Sequence, residues 1–251
     1  MTPLRRHQIA RLSSAAWHEI LGQPWDAQAR GCLRHWAERR LPLVVTRQDE
    51  ASRRAGRVAL GLAAPLAWGR RRIALHAAHA AIACFDEFPA VSGGASDHAC
   101  DHASKLLRQL PDHARAAFSA LLARLDAQHV QARVYGSHGW QLLTGERYVH
   151  AASDIDLWVA VDDTAAADAA AQGLAADVIA RPRLDGELVF PDGSAVAWRE
   201  WAAWHNGRAR SLLVKRLYSV AIESSPHFGA AAAACGSRGP MTLRTGAAVA
   251  A

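Results

Sequence analysis

Lysine is almost absent from this chain. Of its 29 basic residues only Lys105 and Lys215 are lysines, so arginine fills nearly every cationic position. Paired cysteines are missing too: Cys32, Cys84, Cys100 and Cys235 are scattered, with no CxxC spacing. That gives neither a zinc knuckle nor a disulfide framework, and free thiols in a reducing cytoplasm are the expectation. No apolar run approaches the ~18 residues of a membrane-spanning helix, although 51% of the chain is hydrophobic. The opening residues carry arginines, but the pattern after them is amphipathic, which does not read as a signal peptide. Nor is there a dense basic tract interleaved with aromatics, which argues against nucleic acid as a partner. The net charge of +6 favours an acidic partner: a nucleotide, nucleic acid or an acidic protein. Because the arginines are spread along the chain, charge alone decides nothing.

The 251 residues suffice for one large domain or two small ones. Residues 7–21 and 25–40 read as helices, with Trp25, Cys32 and Trp36 near helical spacing. Three β-type runs follow at 41–45, 57–63 and 71–77, making residues 1–88 a small α+β domain. Residues 89–104, rich in Gly, Ser and Asp, read as a linker. Within it, the run from Asp97 to His102 alternates His, Cys and His, but it lacks a second ligand pair and reads as a solvated loop, not a zinc site. The expected second domain spans 105–225. It has two helices divided at Pro111, a strand over VQARVYG, a short helix over HGWQLLTG, a strand over DIDLWVAV and an alanine-rich helix. RLDGELVF and AVAWREW, joined by Pro191-Asp192-Gly193, form a hairpin. Trp198, Trp201 and Trp204 recur at helical spacing and read as packing residues. The low-complexity tail, 226–251, is expected to be disordered.

The chemistry concentrates in VYGSHGWQLLTGERYVHAASDIDLWVAV. Gly136 permits a tight turn with close backbone approach, and Ser137 is placed to cap the following helix. Strand, Gly-Ser, helix start is a workable phosphate cradle, though alone it is more often just a turn and a cap. Asp154 and Asp156 lie two apart on a strand and so share a face, while Ile155, Leu157 and Val159 take the other. Two adjacent carboxylates repel unless a cation bridges them or one is protonated. An oxygen-only pair suits Mg²⁺, whereas a strand-edge acid needs no metal at all.

Joined across the sixteen residues between Ser137 and Asp154, these features resemble the nucleotidyltransferase superfamily signature, with a spacer somewhat longer than the commonest form. Such enzymes add a third carboxylate from a later strand. Glu187 fits that place, with Asp185 as the fallback. The resemblance narrows to the malonate decarboxylase holo-acyl-carrier-protein synthases, the MdcG family of phosphoribosyl-dephospho-CoA transferases. It covers roughly residues 5 to 220 and rests on Gly-Ser, Gly-Trp-Gln-Leu-Leu-Thr-Gly, Asp-Ile-Asp and Asp-Gly-Glu-Leu-Val-Phe-Pro-Asp-Gly.

The resemblance implies an α/β (α+β) fold, with a nucleotidyltransferase-like mixed sheet and flanking helices beside the smaller N-terminal domain. It implies transfer of the prosthetic group from triphosphoribosyl-dephospho-CoA to a serine of the apo acyl carrier protein subunit of malonate decarboxylase. Asp154, Asp156 and Glu187 would hold Mg²⁺, and Gly136 and Ser137 would hold phosphates. Lys215 would be a point-charge phosphate contact, with Arg208, Arg210 and Arg216 as competitors. Arg70, Arg71 and Arg72 would suit the acidic carrier. Trp140 and Tyr148 either line a dephospho-CoA pocket or bury against the sheet, and His138 is an available but unneeded base. Two other readings stand beside this one: a nucleotidyltransferase with an RNA or small-molecule acceptor, and an inactive nucleotide-binding protein.

Overall fold

A computed structural model describes residues 4–93, 97–176 and 181–229. The chain opens with strand β1 (Ile9–Leu12), helices α1 (Ser14–Leu21) and α2 (Ala27–Glu38), then β2 (Leu43–Val45), α3 (Glu50–Arg54), β3 (Arg57–Ala63), β4 (Arg72–Ala78) and β5 (Ile82–Asp86). The strands form one sheet in the order β4-β3-β2-β1-β5. Side-chain caps start both long helices: Ser13 accepts from the Ala16 amide and Asp26 from the Ala29 amide. Trp17, Ile20, Leu33 and Trp36 on the helices bury against Ile9, Leu43, Leu60 and Leu62 on the strands. Each fully buried side chain of this size contributes about 1.5–3 kcal/mol.

The expected helix over 7–21 is half wrong. Residues 9–12 are a strand, because β1 pairs with β2 on one side and β5 on the other, and Ser13 starts the helix only afterwards. Strand β5 and helix α3 were not foreseen.

The second half continues with β6 (Ala90–Ser92), α4 (Asp97–Gln109), α5 (Asp112–Ala127), β7 (Ala132–Tyr135), α6 (Gly136–Thr144), β8 (Ile155–Ala160), α7 (Thr164–Ala176), β9 (Leu184–Val189), β10 (Ala195–Ala197), α8 (Trp198–His205), β11 (Leu212–Lys215) and β12 (Val220–Glu223). These strands form a seven-stranded sheet in the order β12-β11-β10-β9-β8-β7-β6. It is mixed: β8 and β9 are parallel, as a crossover through α7 requires, and the other pairs are antiparallel. The segment expected as a linker is therefore structured at both ends. β6 pairs with β7, and the run from Asp97 to His102 opens α4 and is not a loop. Residues 94–96 lie outside the described residues, as does most of the expected disordered tail, 230–251.

One face of this sheet, through Val134, Ile155, Leu157, Leu184 and Leu188, packs beneath Phe118, Leu121 and Trp201 of the helices. The other face carries Tyr135, Asp156, Asp185 and Glu187 towards the first sheet. Phe88, Trp140 and Tyr148 pack into the first unit's core. Backbone bonds from Gln48 N to Leu217 O (2.8 Å) and Leu66 N to Arg147 O (2.9 Å) add to this joint. Among the described residues no helix is long and apolar enough to cross a membrane.

Candidate active site

Strand β7 ends at Tyr135 and turns at once into α6. The turn needs φ = +60° at Gly136, and a Cβ there would stand 1.9 Å from Asp156 Oδ2. Only glycine lets the backbone approach that carboxylate. Ser137 does not cap the helix as expected: Tyr135 takes the N-cap position and no side chain caps it. The amides of the first turn have no intrahelical acceptor. Gly136 and Ser137 instead border a cavity of about 790 Å³ that Asp156 also lines.

The parallel register sets Asp156 directly across from Asp185, at the interstrand spacing of about 4.8 Å. Asp154 is two residues upstream. Arg183 bridges the other two acids, donating to Asp154 Oδ2 at 2.9 Å and to Asp185 Oδ2 at 2.8 Å. Burial first, then the charges of Asp185, Asp154 and Glu187, push the Asp156 carboxyl up to about 7. Gly186, at φ = +138°, keeps the two strands this close, since a Cβ there would lie 1.9 Å from the Leu157 carbonyl oxygen.

Glu187 and Lys215 are placed differently from the expectation. Lys215 Nζ donates to Glu187 Oε1 at 2.6 Å, and His7 Nε2 stands 3.2 Å from Glu187 Oε2, at ion-pair distance but without hydrogen-bond alignment. Burial would raise the Glu187 carboxyl, but His7 and Lys215 outweigh it and hold the group down at about 2. The expected metal ligand and the expected phosphate contact are thus each other's partners. Asp185, the fallback acid, is the one across from Asp156. Among the described residues no three carboxylate, imidazole or thiolate groups converge closely enough to hold a metal as they stand.

Of the other basic candidates, Arg216 pairs with Glu223, while Arg208 and Arg210 are exposed between α8 and β11. His138 is buried away from the cavity. Its Nδ1 lies 3.0 Å from Gln109 Oε1, and burial pushes it down to about 4. Tyr135, whose ring centroid is 4.9 Å from that of His7, is pushed well above its usual range by burial and by the neighbouring acids Glu187 and Asp156. His7 and Tyr135 line the cavity without having been foreseen. Nothing local marks His7, which reaches the site from the turn before β1. Arg183 was not foreseen either, although its place two residues before Asp185 was a usable signal.

Comparison with known proteins places the chain as a whole. Residues 5–88 match the phosphoribosyl-dephospho-CoA transferase MdcG N-terminal domain and residues 102–226 the C-terminal domain. A phosphoribosyl-dephospho-CoA transferase of Xanthomonas campestris pv. campestris is 40% identical over 212 residues, 84% of this chain and 90% of the relative. One from Bradyrhizobium diazoefficiens is 34% identical over 225 residues, 88% of this chain and 90% of the relative. One from Xanthomonas axonopodis pv. citri is 36% identical over 220 residues, 84% of this chain and 89% of the relative. No solved structure matches the chain. With both family domains matched in order and such relatives aligned over most of its length, the chain belongs to the MdcG phosphoribosyl-dephospho-CoA transferases, a family of transferase enzymes.

Proposed function

We propose that the chain transfers the phosphoribosyl-dephospho-CoA group from its 5″-triphosphate precursor to a serine of the apo acyl carrier protein subunit of malonate decarboxylase, in the cytoplasm. The serine Oγ forms a bond to the α-phosphorus as the bond to the bridging oxygen breaks, so pyrophosphate leaves and the serine proton is released. The observation that carries this reading is the closed approach of Gly136 to Asp156, with Asp185 across the ladder, in a chain matching both domains of the family. No protein nucleophile is needed, because positioning and charge stabilisation carry most of such transfers. The uncapped first turn of α6, with Ser137, suits the triphosphate oxygens.

The donor chemistry suits Mg²⁺: Asp154, Asp156 and Asp185 are all oxygen ligands, and after burial it is the charges of Asp185, Asp154 and Glu187 that help push Asp156 up to about 7, a local excess of negative charge. Those three would hold the ion, in place of the Asp154, Asp156 and Glu187 set, because Glu187 is buried in its pair with Lys215, whereas Arg183 pairs with Asp154 and Asp185 at the surface, where it can give way to a cation. Bound there, Mg²⁺ would neutralise the triphosphate and ease ionisation of the incoming hydroxyl. Arg183, now on Asp154 and Asp185, supplies positive charge at the same place.

The test incubates purified protein with Mg²⁺, triphosphoribosyl-dephospho-CoA and the apo carrier, then weighs the carrier by intact mass spectrometry. A mass gain equal to the prosthetic group is expected. No gain overturns the acceptor or the activity, and a gain that survives Asp154→Asn with Asp156→Asn overturns the mechanism.

A further inference from the structure

The cavity beside Asp156 is built by both units, and its walls differ in kind. One wall holds Gly136, Ser137 and Asp156. The other is the inward face of the first sheet, where Val44, Gly61 and Ala74 form one row across β2, β3 and β4, and Ala63 is paired with Arg72 in the next. Alternation along the strands produces this wall, because Val45, Leu60, Leu62, Ile73 and Leu75 point the opposite way into the core. The floor is flat because its side chains are small. A Cβ on Gly61 would already stand 2.9 Å from Thr46 Cγ2.

Two cations border that floor. Arg71 points away and pairs with Asp26, but Arg70 and Arg72 line the cavity. Arg70, at φ = +56° after Gly69, donates to His150 Nε2 at 2.9 Å and meets no carboxylate among the described residues. The Arg72 guanidinium has no ion-pair or hydrogen-bond partner among the described residues. An apolar floor with unneutralised arginines, opening onto a wall of carboxylate and free helix amides, matches a long anion that carries charge in two places and a planar apolar group between. A volume of about 790 Å³ falls within the ~300–1,000 Å³ of small-molecule sites.

We propose that this face of the N-terminal sheet carries the dephospho-CoA half of the substrate, with Arg72 and Arg70 as the cations for its diphosphate. It rests on the transferase reading above and names the substrate-selecting wall of that same site. The N-terminal unit then selects the small-molecule substrate, and Arg70 and Arg72 do not serve the carrier as the sequence suggested.

The experiment uses the full chain with Arg72→Glu and, separately, Ala74→Trp, both at exposed positions, with circular dichroism confirming the fold. Calorimetry with dephospho-CoA alone gives Kd, and carrier mass gain gives KM for each substrate. Both variants are expected to raise the dephospho-CoA Kd and the precursor KM about tenfold, Arg72→Glu by loss of one charge-assisted contact and Ala74→Trp by filling the floor, with the carrier KM unchanged. Unchanged Kd and precursor KM, or a raised carrier KM in their place, overturns the proposal. If the unaltered protein binds dephospho-CoA in an Arg72-dependent way yet transfers nothing, the transferase reading fails and this wall keeps its ligand. If transfer proceeds but neither variant alters Kd or precursor KM, the wall fails and the transferase reading stands.

Discussion

Asp156 is kept at a cost. Its carboxyl, pushed up to about 7 from 3.8 mainly by burial and then by Asp185 and Asp154, binds a proton more readily folded than unfolded. Such a group opposes folding wherever it must ionise: the cost is full above about 7 and vanishes below the unfolded value. Asp156→Asn should therefore stabilise the metal-free protein by about 2 kcal/mol at pH 8 and not at pH 4, a difference that urea melts at the two pH values would reveal. The same substitution should lower transfer about 10²–10³-fold, as measured by carrier mass gain. Gly136 is the companion position. Gly136→Ala puts a methyl group where Asp156 Oδ2 now lies, and at a positive φ. Transfer should fall about 10²-fold or more, since a displacement of about 1 Å at a reacting centre costs that much. An alanine variant with unaltered kcat would show that the close approach is incidental.

Strand β9 sets two acids on one face and gives them different partners. Asp185 looks across to Asp156 on β8, whereas Glu187, one pleat further on, reaches Lys215 on β11. Asp185→Asn should reduce kcat about 10²-fold with little change in stability. Glu187→Gln leaves Lys215 without its carboxylate beside a buried site, and should cost about 3 kcal/mol of stability. The pH dependence separates the two roles. The Glu187 carboxyl is held at about 2 against an ordinary 4.5 because His7 and Lys215 overcome the effect of burial. Its contribution is present above 4.5 and is lost as pH falls towards 2, so the glutamine variant should lack that part of the acid-induced loss. Equal kcat losses for Asp185→Asn and Glu187→Gln, at equal stability, would restore Glu187 as a direct participant. The pair of acids on β9 was legible in the sequence, because period-two alternation gives their face. Their different partners were not, because these depend on Lys215 standing two strands away.

At the scale of the molecule, the two sheets are joined through side chains that belong to one unit by sequence and to the other by packing. Trp140 and Tyr148 come from the second half of the chain yet lie in the core of the first, and Tyr148 Oη donates to the Ala63 carbonyl at 2.8 Å. Unfolding should then be a single transition, with far-UV circular dichroism and tryptophan fluorescence coinciding in urea. Trp140→Ala should destabilise the whole by about 3–5 kcal/mol and shift both signals together. Two separated transitions in the unaltered protein would show that the joint carries little energy.

What the sequence determined by itself follows from local rules. Apolar alternation gave most strands, a Gly-Ser turn before an Asp-Ile-Asp strand gave Gly136, Ser137, Asp154 and Asp156 as candidates, and spacing put Trp198 and Trp201 on one helix face. The tertiary structure decided everything that needs partners distant in the chain. Residues 9–12 became a strand because two other strands flank them, and Ala90–Ser92 paired with β7 instead of linking domains. His7 reached Glu187, and Arg70 and Arg72 turned towards the cavity. Register and charge pairing between remote segments leave no periodic trace in sequence, so only the folded chain could show which acid faces Asp156 and which is neutralised by Lys215.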